Sequence, residues 1–366
     1  MTDRSSARKR PKTIAVAVGG GLSPESAGAY FASLQRLSGA ERVFALMDGD
    51  LDRAGGLASR DKYARAADLR AAGADCVVEM PLPTQMLTDN LYAFAVRTML
   101  QRLGCVDLLA VPCAGTRDCF DRTAAFLFGE PLPYQKRMRA LRREGADPEA
   151  VFPAVVGEFV PGAEAFLALP QNRLAVEYAN TLRRTYSTVR PFWIEAEPAP
   201  TAPAVDAALR DGALLRALAA VFSGEEEREA LDRAEGMCGG SARLARRTCD
   251  LLAASRAGGF AEFARAVAGS DLNLLAVRRF LTSCLVGYRM LDSSVCITYS
   301  YIPYIRVLAA AEEALARLRE SAQTTLLIDT AEERDLSQAT DSFKRRLLQL
   351  DEAARRLFLE SGGQAD

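Results

Sequence analysis

Over the first 112 residues, short apolar runs alternate with longer stretches whose apolar positions recur at helical spacing. Thr13–Val18 (TIAVAV), Arg42–Met47 (RVFALM), Cys76–Met80 (CVVEM) and Val106–Val111 (VDLLAV) read as strands. Between them, helices are expected from Pro24 to Leu37, Arg60 to Ala72 and Asn90 to Leu103. Ser23 followed by Pro24 is a helix start, with Ser as N-cap and Pro at the first helical position. Strand and helix in this alternation predict βαβ units, hence an α/β, doubly wound parallel sheet with helices on both faces.

From Arg117 to Tyr186 the pattern turns mainly helical, and Val189–Ala196 (VRPFWIEA) reads as a further strand returning to the sheet. Glu197–Ala204 carries three prolines in eight residues and reads as a linker. After it the spacing predicts an almost wholly helical chain to about Arg319, a short strand at Thr324–Ile328 and a final amphipathic helix over Ser337–Leu359. The expected organisation is a disordered basic tail (1–12), an α/β domain (13–196), the linker (197–204), a mostly α-helical C-terminal domain (205–360) and a disordered tail (361–366).

Composition narrows the chemistry. The 366 residues include no histidine, which removes imidazole triads, imidazole metal ligands and the usual near-neutral acid–base group. A net charge of −1 argues against a globally basic nucleic-acid binder, and DNA is not an expected partner. No apolar run approaches the ~18 residues that span a bilayer. None of the eight cysteines forms a CxxC, and several lie in apolar runs, so they read as reduced, buried thiols of a cytoplasmic protein.

In a doubly wound sheet, ligands bind beyond the carboxyl ends of the strands. The first strand ends in Gly19-Gly20-Gly21-Leu22-Ser23 before a helix N-terminus. Glycines allow close approach and free amides favour an anion, so Gly19, Gly20, Gly21 and Ser23 form a candidate phosphate cradle. The same residues would also serve as a plain turn at a strand–helix corner. They match neither the dinucleotide fingerprint nor a Walker loop. The second strand ends in Asp48-Gly49-Asp50-Leu51-Asp52, which reads as a solvated acidic loop rather than a metal site. Lys62 is the cation best placed to reach an anion, against the plainer reading of a surface ion pair.

Three blocks carry a family resemblance. Met47–Pro81 resembles the bacterial tRNA(Met) cytidine acetate ligases, with Asp61, Lys62, Tyr63, Arg65, Gly73, Asp75, Glu79 and Pro81 at matching positions. Leu169–Tyr178 is similar to the family's PNNILG-x-EY, keeping Pro170 and Asn172, and Tyr301–Leu308 resembles its APYIRVLG. The resemblance implies an HxGH-superfamily nucleotidyltransferase fold with a helical C-terminal region. It also implies ATP, with Mg²⁺, as cofactor and tRNA as partner: acetate is activated as acetyl-adenylate and passed to N4 of the wobble cytidine of elongator methionine tRNA.

The chain departs from that pattern where the chemistry would occur. The HxGH becomes Glu25-Ser26-Ala27-Gly28, so Glu25 and Gly28 stand where the family places its imidazoles. A carboxylate about 4 Å from a phosphate charge, at an effective dielectric of ~20, is repelled by about 4 kcal/mol. The family's QRGEP reads Arg53-Ala54-Gly55-Gly56-Leu57, its glycine after the fourth strand falls at Val111, and SATSIR has become Ala202-Pro203-Ala204-Val205-Asp206-Ala207. Of the nucleotide contacts the family implies, Asn172 survives.

The helical half adds candidate RNA-contacting residues. Arg243 and Arg247 share a helix face, with Arg246, Arg278 and Arg279 nearby in sequence. Arginine outnumbers lysine 41 to 5, so arginine clusters are also expected from composition alone. Three readings stand: a divergent relative of the acetate ligases with adenylylation lost or altered, a non-catalytic RNA-binding or regulatory protein, and a different nucleotidyl- or acyl-transfer enzyme on the same fold.

Overall fold

A computed structural model describes residues 12–18, 24–58, 60–144, 148–196, 242–255, 259–270, 272, 274–328 and 341–360. Its centre is a seven-stranded sheet in the order β5-β4-β1-β2-β3-β6-β7. The strands are β1 (Thr13–Val18), β2 (Arg42–Met47), β3 (Cys76–Glu79), β4 (Leu108–Cys113), β5 (Arg190–Glu195), β6 (Tyr304–Ala310) and β7 (Thr325–Leu327). The first five are parallel, β6 joins β3 antiparallel, and β7 runs parallel to β6.

The apolar runs are buried on both faces because each face meets helices. On one side Ile14, Val16, Val43 and Ala45 pack against α1 (Pro24–Ser38) and α2 (Lys62–Ala71). On the other, Ala15, Phe44, Leu46 and Val78 meet α4 (Asp89–Leu103), which follows the short α3 (Leu82–Gln85), and α9 (Pro170–Arg184). This alternation confirms the doubly wound expectation. Helices α5 (Arg117–Gly129), α6 (Leu132–Arg143), α7 (Pro148–Gly157) and α8 (Ala163–Leu167) connect β4 to α9.

In the C-terminal half, α10 (Ala242–Ala254), α11 (Gly259–Ala268) and α12 (Leu274–Val286) enclose a separate core around Phe263, Val267 and Phe280. Then come α13 (Met290–Thr298), α14 (Glu312–Ser321) between β6 and β7, and α15 (Ser342–Glu360).

The expectation of continuous helix to Arg319 is corrected: Tyr304–Ala310 is a strand of the main sheet. A short apolar run does not distinguish strand from buried helix by periodicity, and here a β3 edge was waiting to be paired. The fourth strand starts at Leu108 rather than Val106 because the Asp107 carboxylate accepts the amides of Lys12 and Thr13 at 2.8 and 3.0 Å. The last helix starts at Ser342 because Asp341 caps it, accepting from Phe343 and Lys344. The sequence-based domain boundary at 197–204 and both expected tails lie outside the described residues, except Lys12, which Asp107 holds at the start of β1.

A glycine shapes one of the junctions between the two halves. Helix α4 ends at Gly104 with φ +71°, and a Cβ there would stand 2.2 Å from the Ser321 carbonyl oxygen. Only glycine satisfies both the left-handed turn and that approach. Ser321 Oγ and the Gln323 amide then donate to the last carbonyls of α4, those of Leu103 and Arg102, at 2.8 Å each.

Candidate functional site at the carboxyl edge of the sheet

The loop after β2, the N-terminus of α2 and the end of β3 meet at the carboxyl edge, and β6 and α15 close over them. Asp61 caps α2, accepting from the amides of Tyr63 and Ala64 at 2.8 and 3.3 Å. That cap fixes the next residue, Lys62, whose ammonium points inward and is 3% exposed. It donates to both oxygens of Glu79 at 2.9 and 3.0 Å and lies 3.2 Å from Asp50 Oδ2.

The pairing extends into the C-terminal half. Arg306 of β6 reaches Glu79 at 3.0 Å and Asp351 of α15 at 3.2 Å, and Tyr304 donates to Asp351 at 2.7 Å. Arg355, one helical turn on, bridges Asp50 at 3.0 Å and Asp61. Arg65 donates instead to backbone carbonyls of Asp48, Gly49 and Arg60. A Cβ at Gly49 would lie 2.1 Å from a Glu79 oxygen, so the loop passes the carboxylate only as glycine.

Four acidic and four basic side chains therefore balance within one buried cluster. Burial alone would lower the Lys62 pKa, but Glu79 and Asp50 outweigh it and hold the ammonium protonated above its ordinary range. Arg306 is likewise raised against desolvation by Asp351 and Glu79. Lys62 is thus no anion-reaching cation but the centre of a self-neutralised network. Arg306, Asp351 and Arg355 were not among the sequence-derived site residues. Only Arg306, inside the third resemblance block, carried a signal.

Asp48 is different. It is 4% exposed, and burial pushes its carboxyl up to about 7, against the opposing pull of Arg53 and Arg65. Arg53 holds Asp89 at 2.8 Å and stacks 4.0 Å above the Tyr92 ring. A buried carboxyl titrating near neutrality at the ligand edge of the sheet can hold or release a proton at physiological pH.

The remaining predicted residues separate into three groups. Gly19, Gly20, Gly21 and Ser23 lie outside the described residues. Glu25 is exposed in the first turn of α1, and Gly28 faces the Ala72 carbonyl at the α1–α2 seam, 3.6 Å from where its Cβ would be. Asn172 is fully buried: its oxygen accepts from the Ala114 amide at 2.8 Å, and its nitrogen donates to the carbonyls of Ala114 (2.8 Å) and Phe166 (2.9 Å). Its amide is spent on the Ala114 backbone just after β4 and on the Phe166 carbonyl of α8, so Asn172 ties that loop to α8.

The arginines divide too. Arg246 and Arg247 are exposed on α10, while the Arg243 side chain lies outside the described residues. Arg279 turns inward and donates to the Arg53 carbonyl at 2.9 Å, and Arg278 lies over Gly56 beside Asp52. Gly55, with φ +78°, lets the Arg279 backbone come within 3.1 Å of its Cβ position. These two arginines dock α12 on the loop after β2, a departure from the phosphate-reaching surface expected for them.

Comparison with known proteins bears out the resemblance. Residues 30–202 match the family model "HIGH Nucleotidyl Transferase". The chain is 27% identical over 168 residues to a tRNA(Met) cytidine acetate ligase of Acetivibrio thermocellus, covering 44% of this chain and 40% of that protein. It is 31% identical over 159 residues to that of Syntrophotalea carbinolica, covering 43% and 38%. The matched segments thus span about two-fifths of each relative's length. The crystal structure of Thermotoga maritima TmcAL bound with α-thio ATP superposes with a TM-score of 0.78 over 96% of this chain and 95% of the other, at 19% identity. The fold extends across both halves.

Proposed function

We propose that this chain, a divergent relative of the tRNA(Met) cytidine acetate ligases, acts on RNA with the relatives' scaffold but does not form acetyl-adenylate. The observation that carries this reading is where the likeness falls. Asp61, Lys62, Arg65, Glu79 and Arg306, drawn from two of the three resembling blocks, meet in one buried and internally neutralised network. Asn172, from the remaining block, is spent on backbone. The family likeness is thus a likeness of scaffold.

At the ligand edge the residues do not fit the family's ATP chemistry. Glu25 occupies the first turn of α1, Asp48 is a buried carboxyl, and no histidine exists to donate to a transferring phosphate. A tRNA partner is supported by the relatives, and Arg246 and Arg247 supply an exposed basic face on α10. A cytoplasmic site of action accords with a tRNA substrate, and among the described residues no helix is long and apolar enough to cross a membrane.

Asp48 favours a second reading, in which another group-transfer reaction uses it as the proton-transfer residue in place of imidazole. Incubation of the purified chain with ATP, acetate and elongator methionine tRNA, followed by nucleoside mass spectrometry, tests the first reading. Retained tRNA binding with no N4-acetylcytidine is expected; stoichiometric N4-acetylcytidine would overturn it.

A further inference from the structure

Away from the carboxyl edge, α5, α9 and the start of edge strand β5 enclose a groove of about 360 Å³. That is within the usual size of a small-ligand site, ~300–1,000 Å³. One wall is apolar, built from Phe120 and the alanines of α5 and α9. Into it faces Asn180, 3% exposed, and among the described residues its amide has no hydrogen-bond partner. The amide opens onto the groove, so its donor and acceptor are available to whatever occupies it.

The rim is cationic. Arg183 and Arg190 are both exposed and, among the described residues, neither has a carboxylate partner. The Arg183 guanidinium is oriented by stacking 3.8 Å over Phe128. The one acidic group in the lining, Asp121, is neutralised by Arg117 at 2.9 Å. An apolar wall carrying one aromatic ring, a donor–acceptor amide facing the groove and two exposed guanidiniums point to one ligand chemistry: a ring bearing adjacent donor and acceptor, joined to an anionic group. We propose that this groove is a nucleotide-binding site, with the base against Phe120 and Asn180 and the phosphate at Arg183 and Arg190. It shares no residue with the network at the carboxyl edge and does not depend on the adenylylation reading.

The nucleotide has two sources, a free nucleoside monophosphate or an unpaired nucleotide of an RNA, and the protein carries its own probe to separate them. Trp193, the single tryptophan, lies in β5 two residues beyond Pro191 of the lining, and Arg117 stands 5.8 Å from its ring. Tryptophan fluorescence is followed during titration with AMP, CMP, GMP, UMP, inorganic phosphate and a single-stranded RNA oligonucleotide. A saturable change with a mononucleotide identifies the free ligand; saturation with the oligonucleotide alone identifies RNA. In either case Asn180→Leu and Arg183→Glu/Arg190→Glu weaken binding by about tenfold or more. The second variant changes only exposed side chains, so its fold is retained and its loss of binding is interpretable if Asn180→Leu does not fold. The proposal is overturned if no mononucleotide or oligonucleotide gives a response, if inorganic phosphate binds as tightly as the nucleotides, or if the Arg183/Arg190 variant binds like wild type.

Discussion

Lys62→Met removes one charge from the buried network without opening a large cavity, and its cost follows from the geometry. The ammonium makes two hydrogen bonds to Glu79 and an ion pair to Asp50, all within 3.2 Å and at 3% exposure. Without it the cluster carries one excess negative charge: Glu79 retains Arg306, and Asp50 retains Arg355. Breaking a buried pair by removing one partner costs about 3–5 kcal/mol, because the other charge stays buried and uncompensated. At roughly 1.3 °C per kcal/mol for a chain of this length, the melting temperature should fall by about 5 °C. The exposed Arg60–Asp68 pair is the internal control, and Arg60→Met should cost less than about 1 kcal/mol. Lys62→Met/Glu79→Gln removes charge in balance, with Arg306 still held by Asp351, and should recover part of the loss in a double-mutant cycle. Thermal and urea unfolding measure all three variants. A Lys62→Met loss no greater than that of Arg60→Met, or strict additivity in the double variant, would refute the network as a coupled buried unit.

Three further outcomes are expected. Asp48 has a folded-state pKa raised to about 7, so the native state holds a proton that the unfolded chain releases from about pH 4 upward. Its contribution to stability is therefore greatest at low pH and falls as pH rises through 7. Asp48→Asn should flatten that slope and gain up to about 4 kcal/mol at pH 8, read from urea unfolding across pH against wild type. Asn172→Leu strands the Ala114 amide and the Phe166 carbonyl and should cost about 2–4 kcal/mol, whereas Asn172→Asp, which keeps only the acceptor, should recover little of it in the same assay. Among the described cysteines only Cys119 and Cys284 are not buried, and burial raises Cys284 to about 12. Brief iodoacetamide labelling of the native protein should modify Cys119 ahead of the other six, as read by peptide mass spectrometry.

The parallel half of the fold was legible because its strands are uniform apolar runs punctuated by glycine and helix caps. β6 was not, because YIRVLAA becomes a strand only through pairing with β3, a contact more than two hundred residues distant in sequence. The resembling residues marked a true cluster, but their types alone left two uses open. A lysine after an N-capping aspartate serves equally to bind an anion or to neutralise Glu79, and the choice rests on which carboxylates the fold brings near. Arg355 and Asp351 were invisible for the same reason: on α15 they are ordinary charged residues at i and i+4, and only the docking of that helix buries Asp351 and brings half-buried Arg355 onto Asp50 and Asp61. The Asn180 groove left no sequence signature, since an asparagine late in an amphipathic helix is as often solvated as buried.

The central claim is that a scaffold like that of the cytidine acetate ligases persists here without formation of an acyl-adenylate. Acetate-dependent exchange of labelled pyrophosphate into ATP reads that chemistry directly, since exchange occurs only if an acyl-adenylate forms reversibly. With Mg²⁺ and a verified folded sample, exchange at the no-enzyme background is the predicted result. Exchange that depends on acetate and is lost on Asp48→Asn would contradict that claim and place carboxylate-assisted adenylylation at the end of β2.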